Sequence, residues 1–591
     1  MALEKIKSLR TTMASLAIDA LIVPTADPHQ SEYLPDFWKT RAWLTGFTGS
    51  AGTAVITKYH AGLWTDSRYF IQAENELLPP FELHQLKTRT PEYLTWILEN
   101  LEFDSTLGID ATLFSADEVE YFSSILAIKQ IKVLAVGDVF EKLWTNRPPL
   151  VSNPVFIHDE AFTGISRVEK IEKVKQHISN KKATHLLLSA LDEIAWLLNI
   201  RGNDIEFNPV VTCYCLVTSN ETLLFIDSNK LSNKILETLK TDGILVQPYE
   251  DISQTLQELN NKHVLWCNKA GLNHALFGQI NANCNLICEA SIVNKLKAIK
   301  NPDEINHYKQ AQIRDGVAMC NFLHWLENSL LNKQMVSELD AAQQVMFFRQ
   351  EQKNYMGPSF NPISAYQANA ALPHYSATPK NNVRLKPEGI YLIDSGGQYL
   401  DGTTDITRTV ALGPVTEEQK NDFTLVLKGH IRVATATFPE GTKGIHIDTL
   451  ARLDLWQQGK DFGHGTGHGI GYFLNVHEGP QGLSPSPQGP GNTILEAGMM
   501  LTNEPGFYLK GAYGIRIENV LVCRTAKKKG FLQFDTMTYC PLDKNLIKTE
   551  LLDEKEIQWI NNYHQSVYQL LNDKLSNELK LWLKEKTSAL N

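Results

Sequence analysis

Apolar residues recur at helical spacing through the opening stretch IKSLRTTMASLA and then give way to the unbroken run Leu21–Val23. That pattern predicts an amphipathic helix feeding a strand. The same order returns at VEKIEKVKQHISNKK, followed by the apolar run Leu186–Leu188. Each copy continues through a Trp-Leu segment into β-rich runs, GTAVIT and GLWT in the first and VVTCYCLVT and TLLFID in the second. A duplicated α/β module explains this better than one continuous fold. Between the copies, TNRPPLVSNP reads as a joint, because Pro148 and Pro149 exclude a helix interior or a regular central strand.

The next boundary is a helix start. Asn301-Pro302-Asp303-Glu304 places a cap residue before a proline at the first helical position, with Glu three residues past the cap. Ile305, Tyr308, Ala311, Met319, Phe322 and Leu326 then keep helical spacing. Lys386-Pro387-Glu388-Gly389 predicts a turn before the strand Ile390–Ile393. Asp401-Gly402 predicts another turn, before a β-branched, alternating strand over Thr403–Val410. Near the C-terminus, Ile557, Ile560, Tyr563, Val567, Leu570, Leu571, Leu575, Leu579 and Trp582 trace an apolar helical stripe. It reads either as a helix packed on its own domain or as a dimer contact. The expected division is therefore 1–145, 150–299 and 301–591, two N-terminal α/β modules and a larger catalytic domain with a helical extension.

Composition narrows the class. The chain has 591 residues, 43% hydrophobic, so core material is ample. Its net charge of −10 argues against a broad phosphate-tracking surface, and no nucleic-acid partner is expected. No apolar run reaches the ~18–20 residues of a membrane span, and the N-terminus does not read as a signal peptide. The 8 cysteines show no Cys-x-x-Cys spacing, and Cys213 and Cys215 alternate on a strand as buried free thiols would. A reducing cytoplasm is the expected compartment.

The chemistry concentrates in YLIDSGGQYLDGTTDITRT, FGHGTGHGIG, NVHEGP, LTNEPGFY and GIRIENV. Asp394 ends an apolar run and Glu518 sits inside Ile515–Val520. A carboxylate buried that way must be paired or bound to a cation. Asp394, Asp405, Glu504 and Glu518 supply four negative charges, enough to balance two divalent ions, and His468 adds a neutral nitrogen. Bridging carboxylates let few residues hold two ions ~3.5–4 Å apart. An oxygen-rich set with one imidazole favours Mn²⁺ or Co²⁺ over a structural zinc. Asp401 reads as a turn residue, and Glu478 is left as an outer contact only.

These segments resemble the pita-bread metallopeptidases, and within them the long, three-domain, cytosolic Xaa-Pro aminopeptidase (aminopeptidase P) type. Asp394 in a DSG segment and Asp405 in TTDITRT match two metal ligands in type and interval, His468 is the second histidine of HGTGHGIG, and Glu504 and Glu518 match the EPG and GIRIEN segments. The resemblance implies an α/β (mixed α+β) chain, with two duplicated creatinase-like modules before a pita-bread catalytic domain. It implies that Asp394, Asp405, His468, Glu504 and Glu518 hold two divalent ions, Mn²⁺ first, with Co²⁺ or Zn²⁺ as alternatives. Glu504 would also relay protons, His374 and His477 would donate to substrate oxygens, and His464 would border the cleft. Arg516 would orient the acidic ligands from outside. One departure is visible: Asn503 stands where the family commonly has Asp.

The implied reaction is metal-dependent hydrolysis of an N-terminal Xaa-Pro bond by a hydroxide bridging the two ions, in a cytoplasmic homodimer acting on peptides with proline second. The alternatives are a prolidase-type Xaa-Pro dipeptidase and a catalytically silent peptide-binding protein.

Overall fold

A computed structural model describes residues 2–87 and 91–590. The chain forms two compact units, one of residues 1–158 and 165–294, the other of 159–164 and 295–591.

The first unit contains two six-stranded sheets. One runs Glu82–Gln85, Ala61–Thr65, Thr53–Thr57, Ala20–Val23, Thr106–Ile109, Lys132–Ala135; the other Ile244–Gln247, Thr222–Ile226, Cys213–Thr218, His185–Leu188, Val264–Cys267, Asn285–Cys288. From the first edge inward, both have the same sequence of pairings: parallel, antiparallel, antiparallel, parallel, parallel. Identical strand order and sense establish the duplication that the sequence only suggests. Cys213 and Cys215 are buried on their strand and none of the 8 cysteines is paired in a disulfide.

In the second unit, Asn301 and Glu304 form a reciprocal capping box that opens the 30-residue helix Pro302–Leu331. One three-stranded sheet joins Ile363–Tyr366, Ile390–Ser395 and Ile406–Ala411. A six-stranded sheet runs Thr437–Pro439, Phe531–Thr536, Asn519–Thr525, Met500–Asn503, Gly467–Gly469, Glu478–Leu483. Helices Glu417–Ala434, Gly444–Trp456 and Glu554–Leu571 contribute apolar residues to a common core with these strands.

Three expectations change in detail. The expected strand Thr403–Val410 is interrupted: Gly402–Thr403 and Ile406–Ala411 are separate, and Asp405 lies in the gap. Likewise Ile517 and Glu518 fall between the strands Tyr513–Arg516 and Asn519–Thr525. The C-terminal stripe is also broken, into helices Glu554–Leu571 and Asn577–Lys586, with Ser576 capping the second. Its residues Ile560, Tyr563, Val567, Leu571, Leu575 and Leu579 join the core of their own unit, with Leu570 and Trp582 packed against it, so the stripe is internal packing.

His564 lies in this region, fully buried, and its Nε2 accepts the Leu542 N–H at 3.1 Å. Burial, with help from Lys544 and Arg408, lowers its pKa to about 4. An unfolded chain therefore takes up this proton near pH 6.5, and the folded chain only near pH 4. The stabilising effect of neutral His564 is complete above ~6.5 and is lost as pH falls. Relative to His564→Gln, the wild-type chain is expected to lose about 3 kcal/mol between pH 7 and pH 4. Urea unfolding of both proteins at the two pH values measures it, and a pH-independent difference would contradict it.

Candidate metal centre

The alternation of strand Ile406–Ala411 sorts its side chains onto two faces. On one face, Thr407 Oγ1 donates to Glu518 Oε2 at 2.8 Å and accepts from Arg516 Nε at 3.1 Å. Thr409 Oγ1 donates to the Arg516 carbonyl at 3.0 Å. On the other face, the fully buried Arg408 donates to the carbonyls of Glu518, Cys540 and Pro541, to Asn519 Oδ1 and to the Tyr563 hydroxyl. Glu518 is thus fixed by a threonine at its carboxylate and an arginine at its backbone.

Asp394 is the penultimate residue of the inner strand Ile390–Ser395, where Arg516 Nη2 donates to its Oδ2 at 2.6 Å. Behind both aspartates lies a buried pair, Asp315 and Arg349, joined by bonds of 2.7 and 3.0 Å. Arg349 donates to the Ser395 carbonyl, next to Asp394, and Asp315 accepts from Thr404 Oγ1 at 2.9 Å, next to Asp405. One ion pair therefore steadies the residue beside each carboxylate. Removing a partner that orients a ligand typically costs 10–100-fold in metal affinity. Asp315→Asn is expected to weaken metal uptake by about that factor, read by titration with a competing chelator; unchanged affinity would contradict it.

His468 sits in the short strand Gly467–Gly469, threaded between Glu478–Leu483 and Met500–Asn503. A Cβ at Gly467 would lie 1.9 Å from the Thr502 carbonyl, so this passage requires glycine. The His468 ring donates from Nδ1 to the Gly469 carbonyl at 2.9 Å, which leaves Nε2 toward Asp405 Oδ2 at 3.4 Å and Glu504 Oε1 at 3.6 Å. Asp448 and Arg452, on helix Gly444–Trp456, brace the loop before it. Asp448 accepts from Thr466, and Arg452 donates to the carbonyls of Phe462 and His464.

The five candidate ligands from the sequence therefore stand in two linked sets, Asp394 through Arg516 and Thr407 to Glu518, and Glu504 and Asp405 through His468. Candidate ligand atoms of Asp405, His468 and Glu518 all lie within 4.8 Å of one another. Asp394 Oδ1, Asp405 Oδ1 and Glu518 Oε1 are buried and have no hydrogen-bond donor. Two carboxylates and one imidazole gathered this closely, each carboxylate with an orphaned oxygen, and a third orphaned oxygen on Asp394 fit divalent cations, because buried carboxylates are costly unless a positive charge meets them. Burial raises Asp394 to about 6 and pushes Glu518 well up, with neighbouring carboxylates adding to both. Burial would lower His468, but Asp405 and Glu504 outweigh it and hold it at about 9.

His477 meets the His468 ring edge-on at 4.3 Å. His374 is half-buried on a turn whose preceding residue, Pro373, accepts from Arg516 Nη2 at 3.4 Å. His464 donates from Nδ1 to the Gly465 carbonyl, and its Nε2 accepts from the Tyr508 hydroxyl at 2.8 Å; that hydroxyl accepts from Arg516 Nη1 at 2.7 Å. Burial lowers the His464 pKa, in keeping with a neutral ring. The relay His464–Tyr508–Arg516–Asp394 contains a residue the sequence reading missed. Tyr508 lies four residues past Glu504 in EPGFY, and an aromatic on a strand has no signature there beyond core packing.

Two further residues gain ionic partners that the sequence does not show. Asp401 occupies a turn but is also buried and paired with Arg314 at 2.5 Å. Glu478, left by the sequence as an outer contact, is buried between Lys300 and Lys297, the latter at 3.3 Å, which anchors the chain directly after His477. Asn503 donates to the His430 carbonyl on helix Glu417–Ala434 at 2.9 Å. Its amide holds a helix.

Comparison with known proteins bears on this arrangement. Residues 306–525 match the model of metallopeptidase family M24 and 530–590 that of its C-terminal region, while 5–143 and 146–304 each match a creatinase/prolidase N-terminal domain. A probable Xaa-Pro aminopeptidase P of Laccaria bicolor is 40% identical over 99% of this chain and 93% of its own. The chain belongs to the aminopeptidase P family of M24 metallopeptidases. It is thus an aminopeptidase, a peptide hydrolase. Aminopeptidase P1 of Arabidopsis thaliana is 36% identical over 100% of this chain and 99% of its own. The crystal structure of X-prolyl aminopeptidase from Caenorhabditis elegans, described as a cytosolic enzyme with a di-nuclear active site, superposes with a TM-score of 0.95 at 35% identity over 100% of both chains. An Xaa-Pro dipeptidase of Bacillus anthracis gives 0.51 at 25% identity, covering 64% of this chain and 99% of its own. The family resemblance drawn from residues 374–520 holds, and so does the fold it implies: creatinase-type modules before a pita-bread domain.

Proposed function

We propose that this chain removes the N-terminal residue from peptides whose second residue is proline, at a centre of two divalent ions held by Asp394, Asp405, His468, Glu504 and Glu518. The observation that carries the reading is the cluster of Asp405, Glu518 and a His468 ring that presents Nε2, each carboxylate having a buried oxygen without a donor. Such a pair of ions, when bound, supplies Lewis-acid polarisation of the scissile carbonyl and an activated water at neutral pH.

The chain's own residues do the rest. Glu504 is the most open of the four carboxylates, its side chain 18% accessible against 5% for Asp405 and 11% for Asp394, with Glu518 fully buried, which suits proton transfer to and from the reacting groups. His477 and His374 donate to the carbonyl oxygen as charge develops on it. His464 has both nitrogens engaged, so it acts by holding Tyr508, and through it Arg516, at the edge of the cleft. Arg516 opposes the rise in the Asp394 pKa and aims its carboxylate. An Xaa-Pro bond offers no amide proton and a restricted backbone, so a site that reads shape rather than an N–H suits it.

Mn²⁺ is the ion we favour, from the oxygen-rich ligand set. The three-part division at 1–145, 150–299 and 301–591, the cytoplasmic location and a homodimer are also our proposals. The eight unpaired cysteines support a reducing compartment. Among the described residues no helix is long and apolar enough to cross a membrane. Homodimer formation rests on the family resemblance, and sedimentation equilibrium at twice the chain mass tests it.

A dipeptidase is the nearest rival, and full-length likeness to aminopeptidases supports the present reading over it. A substrate series from Xaa-Pro through Xaa-Pro-Xaa to longer peptides separates the two. We expect cleavage of tripeptides and longer chains; cleavage confined to dipeptides would overturn the assignment.

A further inference from the structure

A second cluster of metal-binding side chains lies in the first unit, at the edge of its first sheet. Strand Glu82–Gln85 runs parallel to Ala61–Thr65, with Gly62 opposite Glu82 and Trp64 opposite His84. Period-two alternation puts Glu82 and His84 on one face of the edge strand. His60, two residues before Gly62, meets them there. Its Nε2 lies 3.2 Å from His84 Nε2, and its Nδ1 is 3.9 Å from Glu82 Oε2. Ligand atoms of His60, Glu82 and His84 all fall within 4.8 Å of one another.

The hollow is built rather than incidental. A Cβ at Gly62 would come within 2.6 Å of His60 Nε2 and 2.9 Å of His84 Cδ2, so glycine provides the room in which the two rings meet. Each ring is held against an indole: His84 lies parallel to Trp64 at 4.0 Å, and His60 faces Trp96 at 4.4 Å. Their ring centres are 5.2 Å apart and their planes 75° to each other. Two imidazoles meeting one zinc at a tetrahedral angle, with Zn–N of about 2.0–2.1 Å, have bonding nitrogens about 3.3 Å and ring centres about 5.2 Å apart. Burial lowers the pKa of both rings, which favours the neutral form a metal requires.

We propose that His60, His84 and Glu82 form a zinc-class transition-metal site, separate from the carboxylate centre, that ties the edge strand Glu82–Gln85 to the segment leading into its neighbour. Two imidazoles and one carboxylate suit zinc, with a water completing four-coordination. The donor set contrasts with the oxygen-rich centre of the second unit, so the two sites select different ions.

The test uses the full chain carrying Asp394→Asn and Glu518→Gln, which removes two carboxylates from the other centre, dialysed against Zn²⁺. One zinc per chain is expected, with an X-ray absorption spectrum showing two imidazole nitrogens at about 2.0–2.1 Å. His60→Gln and His84→Gln in the same background should each lose that zinc while keeping the parent circular dichroism. Glu82→Ala alters a side chain that is 70% accessible, so the fold is not at stake, and it should weaken binding at least tenfold. If no zinc binds, the nitrogens share only a hydrogen bond and the proposal fails. It fails equally if zinc uptake is unchanged in the three variants.

Discussion

Glu518→Gln is expected to lower peptide hydrolysis by at least about 10³-fold, while making the metal-free chain about 1–3 kcal/mol more stable. The two effects have one cause. Glu518 is fully enclosed, one of its oxygens has no donor, and Asp405, Glu504 and Asp394 all oppose its charge. Gln keeps the shape and the contact to Thr407 but carries no charge to repel. With chelator present, thermal unfolding should therefore shift upward; with saturating metal, the variant should bind fewer ions than the wild type's two. Loss of activity with a lowered melting temperature in chelator would mean that Glu518 serves packing, not a cation.

Arg408→Met is expected to cost about 3–5 kcal/mol, the largest stability loss of any single change considered, because of what it leaves behind. Arg408 is 1% accessible and satisfies the carbonyls of Thr407, Glu518, Cys540 and Pro541 together with Asn519 and Tyr563. Met fills similar volume but donates nothing, so several enclosed acceptors lose their partner. Urea unfolding measures the loss. Activity should fall as well, since the Glu518 backbone loses its tether. A change below about 1 kcal/mol would show that water replaces the guanidinium.

The candidate ligand set was legible because its chemistry is local: Asp394 after three apolar residues and His468 between glycines are anomalies visible without a fold. The duplicated sheets were legible as repeated helix-then-strand order, though only pairing sense settled it. What was hidden depends on contacts across large separations. Asp315 and Arg349 belong to no motif in the sequence, yet they steady Ser395 and Thr404. Lys297, Lys300 and Glu478 are each unremarkable surface types in sequence and become an enclosed triad only when distant segments meet. The break at Thr404 and Asp405 was likewise invisible, because β-branched residues on both sides argue for a continuous strand. Tertiary hydrogen bonding to Asp315 overrides that propensity.

The most direct test of the central claim is hydrolysis of matched Xaa-Pro-Xaa and Xaa-Ala-Xaa peptides by the Mn²⁺-reconstituted chain, with Asp405→Asn as control. The account predicts release of the first residue from the proline peptide alone, and its loss in the control. No turnover across several metals, in folded protein with both ions bound, would contradict it.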